Sequence, residues 1–354
     1  MRCLASAAVM RETVAAAIVA GVNHLETAQG YGSSEVLLGQ ALRDLTIDRS
    51  AIYLTSKLPP MDGAAMTVAI DESLARLQVD YLDGLAIHGL NTPEHLTMVM
   101  ATDGTLAAVE TAIAAGKVRQ VGFSTHGSLE LILATIATGR FSFVNLHYGM
   151  FFQRHAAAIA AAAARDMGIF IISPGDKAGM LYQPPEQLVT DCAPLSPLGA
   201  NYRWLLRDER ITTLSVGPAV PQELDQPLAL AIVGPLDESE QAVFERLKQR
   251  EIERLGADRC SQCYACLPCP AGIHIPEVLR LRNLAVAHEM QQFGEYRYGM
   301  FERAGHWFPG NKGNRCSDCG DCIPRCPEGL AIPDLLRQTH DLLNGRPRRR
   351  LWGD

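Results

Sequence analysis

Eight of the ten cysteines in this 354-residue chain fall between Cys260 and Cys326, in two groups of four. In a large chain, thiols crowded at such short spacing point to bound metal or clusters rather than to disulfides. The first group reads Cys260-Ser-Gln-Cys263-Tyr-Ala-Cys266-Leu-Pro-Cys269-Pro270. The second reads Cys316-Ser-Asp-Cys319-Gly-Asp-Cys322-Ile-Pro-Arg-Cys326-Pro327. Three thiolates at i, i+3 and i+6 can wrap three corners of an iron–sulfur cubane, and a remote thiolate must supply the fourth. Two four-cysteine zinc sites are the competing reading. The Cys-x-x-Cys-x-x-Cys…Cys-Pro form, written twice, favours iron–sulfur.

The stretch is also duplicated. Residues 269–280 and 326–337 share Cys-Pro, a Gly at the fourth place, Ile-Pro and a closing Leu-Arg. Each copy runs from its cluster motif into a helix that opens with Pro and then an acid, a favourable helix start. Two-cluster ferredoxins use such a duplicated unit and exchange the fourth thiolate between runs. On that pattern Cys260, Cys263, Cys266 and Cys326 hold one [4Fe–4S] cluster, and Cys316, Cys319, Cys322 and Cys269 hold the other. The first run departs slightly, with two residues before its fourth Cys where three are usual. Residues 281–315 form a long, largely helical insert. Cys3 and Cys192 lie apart and read as inert thiols.

Upstream the pattern is different. Apolar runs rich in β-branched residues recur at 22–27, 51–57, 82–88, 119–124, 143–147, 168–173 and 212–217, with helix-like stretches between most of them. Alternation of this kind predicts βα units and a parallel sheet buried on both faces. Gly21, Gly116, Gly139 and Gly168 read as C-cap glycines. Seven strands are countable where a (β/α)8 TIM barrel needs eight. The shortfall is at the front, because residues 10–20 read as a helix. Either residues 1–9 supply a degraded first strand or the chain starts late. The fold class is therefore α/β: a barrel over 1–235, followed over 236–354 by a mostly helical, ferredoxin-like iron–sulfur domain.

Composition narrows the function classes. The net charge is −7, and residues 1–235 carry it, with 15 basic against 22 acidic side chains. That balance argues against a nucleic-acid partner, and the basic run at 346–350 reads as a solvated tail. With no apolar run of eighteen residues, no membrane span is expected. A cytoplasmic protein is expected.

In a parallel α/β barrel, catalytic residues sit at the C-terminal strand ends. Those ends here carry Glu26 and, just beyond, Tyr31; then Lys57, His88 and Ser124. A carboxylate, a phenol, an ammonium and an imidazole at one mouth make a proton-donating site. Lys57 beside the Tyr31 hydroxyl favours the phenolate, so the phenol can protonate an alkoxide near neutral pH, and Glu26 would orient Lys57.

These motifs resemble the aldo-keto reductase family. The match rests on Glu-Thr-Ala-x-x-Tyr-Gly-x-Ser-Glu at 26–35, Thr-Ser-Lys at 55–57, His88, Gly-Lys-Val-Arg-x-Val-Gly-Phe-Ser at 116–124 and Ile-Ser-Pro at 172–174, and spans roughly residues 10–230. With the cysteine module, the chain looks like a ferredoxin-fused branch of that family. The resemblance implies a catalytic tetrad of Glu26, Tyr31, Lys57 and His88, with Glu where the family has Asp. It also implies NAD(P)H across the later strand ends, with Ser124 and Asn145 at the nicotinamide carboxamide and Ser173 and Gly217 in the cofactor-binding set. Ile172 stands where a Tyr often stacks on the nicotinamide. Residues 217–225 lack the basic side chains that grip the 2′-phosphate of NADP and contain Glu223 and Asp225, so NADH is expected to bind at least as well as NADPH. Arg203, Arg207 and Arg210 are the cations nearest in sequence. His126 and His147 are candidates for lining the substrate pocket, with ordinary loop histidines the plainer alternative. Asp176 and Lys177 offer an ion pair at the mouth or a phosphate contact.

The expected function is reduction of a small carbonyl, or oxidation of the alcohol, with Tyr31 as acid/base and the clusters relaying electrons or bracing their domain. A redox partner protein would accompany the relay. The rival function is a ferredoxin-like electron carrier whose barrel binds a partner or substrate without hydride chemistry.

Overall fold

The computed structural model describes residues 4–175, 177, 179–231 and 234–345. It divides into two compact units. One comprises Met1–Pro174 and Tyr202–Gly234, the other Gly175–Asn201 and Pro235–Asp354. The second unit thus takes in residues 175–201, which the strand pattern alone groups with the barrel.

The chain runs α1 (Ala7–Val19), β1 (His24–Glu26), α2 (Ser34–Asp44), β2 (Tyr53–Leu58), α3 (Gly63–Leu77), β3 (Leu82–His88), α4 (Pro93–Met100), α5 (Thr105–Ala114), β4 (Val118–Ser124), α6 (Leu129–Ala137), β5 (Phe143–Leu146), α7 (Ala156–Ala163) and β6 (Gly168–Ile171). Then come α8 (Glu186–Cys192), α9 (Pro197–Leu206), β7 (Thr213–Leu214), α10 (Asp225–Ala231), α11 (Glu238–Leu255), α12 (Ile275–His288), α13 (Gln291–Tyr298) and α14 (Ile332–Leu343). Among the described residues seven strands form one curled, wholly parallel sheet in sequential order β1 to β7. β1 and β7 are its edges. Residues 4–6 are irregular and α1 begins at once, its N-terminus capped by the Ser6 side chain, so a first strand from residues 4–9 is not formed. Met1, Arg2 and Cys3 lie outside the described residues, as do Asp176 and the basic run 346–350.

Burial on both faces explains the continuous apolar strands. Leu54, Leu85, Ala86, Ile87, Phe123, Val144, Ile169 and Ile171 are all fully buried. Phe143 stacks on Phe170, with ring centroids 4.9 Å apart. Gly122 in β4 makes room for this pair, since a Cβ there would run into the Phe143 ring. Gly21, Gly116 and Gly139 take the left-handed conformation expected of C-caps. Gly168 does not. It is the first residue of β6, and Asp166, with φ of 55°, makes the left-handed turn instead.

In the second unit, α11 starts on a capping box built by Asp237 and Glu240. The duplication seen in sequence has a backbone counterpart. Gln262 and Tyr264 in the first cysteine loop, and Asp318 and Gly320 in the second, all have positive φ. Gly272 and Gly329 do likewise at φ of 67° and 64°, just before α12 and α14, each of which begins with Ile-Pro. The insert contributes the C-terminal part of α12, then α13 and two short 3-10 turns. Among the described residues no helix is long and apolar enough to cross a membrane.

Candidate active site and cluster sites

β1 ends at Glu26, and the backbone that follows is pinned to β2: Thr27 N–H donates to Thr55 O and Gln29 N–H to Lys57 O. The Thr27 hydroxyl donates to Ser34 Oγ at 2.7 Å, which fixes the turn carrying Tyr31 to the start of α2. Lys57 projects from β2 into this turn. Its Nζ lies 2.5 Å from Glu26 Oε1 and donates to Thr27 O at 3.0 Å, and it is only 2% exposed. The same ammonium sits 5.1 Å from the centre of the Tyr31 ring. His88, at the end of β3, meets Tyr31 edge to face at 5.6 Å. Gly30 leaves space beside that imidazole, its implied Cβ 3.8 Å from His88 Cε1 and Nδ1. Glu26, Tyr31, Lys57 and His88 therefore converge at one strand-end mouth.

The electrostatics follow from the pairing. Burial pushes the Glu26 carboxyl up, but Lys57 and hydrogen bonds from Lys57 and Ser215 overcome it and bring the group down to about 2. Burial alone would lower Lys57; the Glu26 charge, with Tyr31, raises it instead. The pair stays ionised at neutral pH, and a fixed ammonium faces the Tyr31 hydroxyl.

The residues suggested for the nucleotide fall beside this group. His88, Ser124 and Asn145 are register partners across β3, β4 and β5. Ser124 Oγ accepts from Gly89 N–H at 3.2 Å. Asn145 is fully buried; its Nδ2 donates to Glu26 Oε1 at 2.7 Å, while its Oδ1 has no hydrogen-bond partner. Ser173 follows β6 in the left-handed conformation. Gly217 lies half-buried beyond β7. In the loop after β7, Glu223 accepts from Ala219 N–H at 2.9 Å. The three arginines upstream have partners already: Arg203 donates to Gly234 O, Arg207 lies over Trp204, and Arg210 pairs with Asp208.

Two contacts were not visible in sequence: one made by Ser215, and the pairing of the candidate histidines with each other. Ser215, just past β7, donates to Glu26 Oε2 at 2.6 Å, so one carboxylate ties together the two edge strands of the sheet. Its strand-end position was the available signal. His126 and His147 form a tilted ring pair at 4.6 Å, and His147 Nδ1 bonds Ile172 O. Arg154 and His155 extend that group, with His155 Nδ1 bonded to His147 O and Arg154 Nη2 donating to His126 O.

In the second unit the cysteines sort into two cavities. One is lined by Cys260, Cys263, Cys266 and Cys326, the other by Cys316, Cys319, Cys322 and Cys269. The grouping crosses the two sequence runs. Cys266 lies within electrostatic reach of Cys322, so the cavities are neighbours. Four cysteines around each cavity are a donor set that suits a [4Fe–4S] cubane. Burial pushes the thiols of Cys260, Cys266 and Cys322 up, Cys266 to about 12, so bound iron is what would hold them as thiolates. Cys192 is fully buried, and that burial pushes its thiol up to about 12.

The model of the aldo/keto reductase family matches residues 6–183, half of the chain. The chain belongs to that family. A 4Fe-4S dicluster domain model matches residues 259–332 of this aldo/keto reductase. An aldo-keto reductase of Mycobacterium sp. (strain KMS) is 35% identical over 134 residues, covering 37% of this chain and 46% of the relative. An NAD/NADP-dependent indole-3-acetaldehyde reductase of Schizosaccharomyces pombe is 31% identical over 140 residues, 38% of this chain and 48% of the relative. The chain thus spans about half the length of the curated relatives it matches. Among solved structures, an aldo-keto reductase from Bacillus halodurans superimposes with a TM-score of 0.60 at 18% identity, over 69% of this chain and 89% of the other. One from Klebsiella pneumoniae in complex with NADPH gives 0.57 at 24% identity, over 70% and 87%. These likenesses establish the fold.

Proposed function

We propose that this aldo/keto reductase reduces small carbonyl compounds with NAD(P)H and holds two [4Fe–4S] clusters in its second unit. The observation that carries the proposal is the convergence of Glu26, Lys57, Tyr31 and His88. The carbonyl oxygen binds between the Tyr31 hydroxyl and the His88 ring. Tyr31 donates its proton to the developing alkoxide, and the Lys57 ammonium stabilises the phenolate left behind. Glu26 keeps Lys57 charged and in place. The nicotinamide, when bound, supplies the hydride. Asn145 Oδ1, a buried acceptor without a partner, fits an N–H of its carboxamide, and Ser124 stands beside it in register. Ser173 and Gly217 complete the cofactor set.

Cys260, Cys263, Cys266 and Cys326 would hold one cluster and Cys316, Cys319, Cys322 and Cys269 the other. Bound there, the clusters supply one-electron chemistry, passed to a redox partner protein, or brace the fold. Two sets of cluster-ligating cysteines fit a cytoplasmic setting, where thiols are kept reduced. The test is anaerobic: cluster-loaded protein with NADH or NADPH and a panel of small aldehydes and ketones. Consumption of nicotinamide that depends on the carbonyl supports the proposal. Bleaching of the cluster absorbance by nucleotide, with no carbonyl turnover, would favour an electron carrier instead.

A further inference from the structure

The two cysteine loops are related in sequence and in backbone, and one of the equivalent positions at which they differ bears directly on a cluster cysteine. Gln262 and Asp318 each follow the first cysteine of their run by two residues, and each takes the left-handed conformation, at φ of 60° and 55°. From that shared backbone the side chains do opposite things. Gln262 Nε2 donates to Cys260 Sγ at 3.3 Å and to Pro276 O, in the first turn of α12, at 2.9 Å. The second bond holds the amide in place, so the donor is aimed at the sulfur in advance. Asp318 ends instead in acceptor oxygens, turned to a different partner. Its carboxylate accepts from Arg337 of α14 at 2.6 Å, and both partners are about half exposed.

We infer that Gln262 tunes the cluster held by Cys260, Cys263, Cys266 and Cys326, raising its reduction potential, while the second cluster has no such donor at the equivalent place. This rests on the cluster reading of the cysteines proposed above. The physics is that of a dipole beside a changing charge. When one electron enters the cluster from an external reductant, no bond is made or broken, but the ligand sulfurs become more electron-rich. An N–H aimed at a sulfur then binds more strongly, which favours the reduced state. At the third cysteine of each run burial is alike, Cys266 and Cys322 each being 7% exposed. Glu328 lines the first cavity and Asp321 with Arg325 the second, so nearby charge works against the first cluster. Glu328 is exposed, however, and water and salt screen it, whereas the amide contacts the ligand directly. The duplication has been used to make two related but unequal electron sites.

The experiment is a potentiometric titration of the anaerobically loaded full chain with dithionite and mediators, followed by electron paramagnetic resonance, with iron and sulfide measured on each sample. Gln262→Met keeps the side-chain length and removes the donor; Gln262→Leu is the second choice. Either should move one reduction step to lower potential and leave the other unmoved. Asp318→Gln installs the missing donor and should raise the step that Gln262→Met leaves alone. Variants with full iron content that titrate like the parent, or a Gln262 substitution that shifts both steps together, would overturn the inference. Parent protein that takes up no iron would instead overturn the cluster reading beneath it.

Discussion

At the scale of single residues, Glu26 carries more than its place in the tetrad suggested. One carboxylate receives Lys57, Asn145 and Ser215, at 2.5, 2.7 and 2.6 Å. Its link to Lys57 was legible from the strand-end motif. Its bond to Ser215 was not, because the two lie 189 residues apart and only the curl of the sheet brings them together. Glu26→Ala would strand the Lys57 ammonium in a buried site, a loss on the order of 3–5 kcal/mol in the unfolding free energy of the barrel. Denaturant unfolding measures it, and a loss below about 1 kcal/mol would mean that Lys57 is satisfied without Glu26. A second prediction concerns the nucleotide. Residues 217–225 contain no cation, Glu223 is already bonded to Ala219 N–H, and the upstream arginines are engaged elsewhere. NADH should therefore bind at least as tightly as NADPH at fixed ionic strength. A tenfold preference for NADPH in the two dissociation constants would point to a cation from outside this loop.

At the scale of elements, the strands were readable because both faces are buried, but their lengths were not. The edge runs 22–27 and 212–217 shrink to His24–Glu26 and Thr213–Leu214, since each has a neighbour on one side only. Gly168 shows the same limit from another side. An Asp can take the left-handed turn, so the glycine was free to begin a strand. In the second unit, the end of α12 carries a pH-sensitive element. His288 is 1% exposed, and burial, with Arg250 adding to it and Asp191 opposing, lowers its pKa from 6.5 to about 4. The folded state therefore holds the imidazole neutral while the unfolded chain takes up a proton below pH 6.5. Its contribution is complete above pH 6.5 and is lost as pH falls towards 4, a change on the order of 3 kcal/mol. His288→Gln should flatten the dependence of unfolding free energy on pH in that window. An unchanged slope would place the acid sensitivity elsewhere.

At the scale of the whole molecule, the chain joins a seven-stranded member of a barrel family to a duplicated cysteine module. The module was the most legible part, because cluster ligation demands fixed spacing and the Cys-Pro repeat marks each half. What the spacing could not reveal was the asymmetry at Gln262 and Asp318, which depends on side-chain direction. Loaded anaerobically, the protein should carry about eight iron and eight sulfide per chain, the sum of two cubanes. Cys326→Ser should damage the cluster of Cys260, Cys263 and Cys266 rather than that of its own run, and spectra showing the reverse would undo the crossed pairing. The central claim, that this is a carbonyl reductase with Tyr31 as its acid, is tested most directly by steady-state turnover of Tyr31→Phe, with nucleotide affinity and cluster content matched to the parent. The account predicts a fall in kcat of about 10²–10⁴-fold, the usual contribution of a general acid. Turnover equal to the parent's would contradict it.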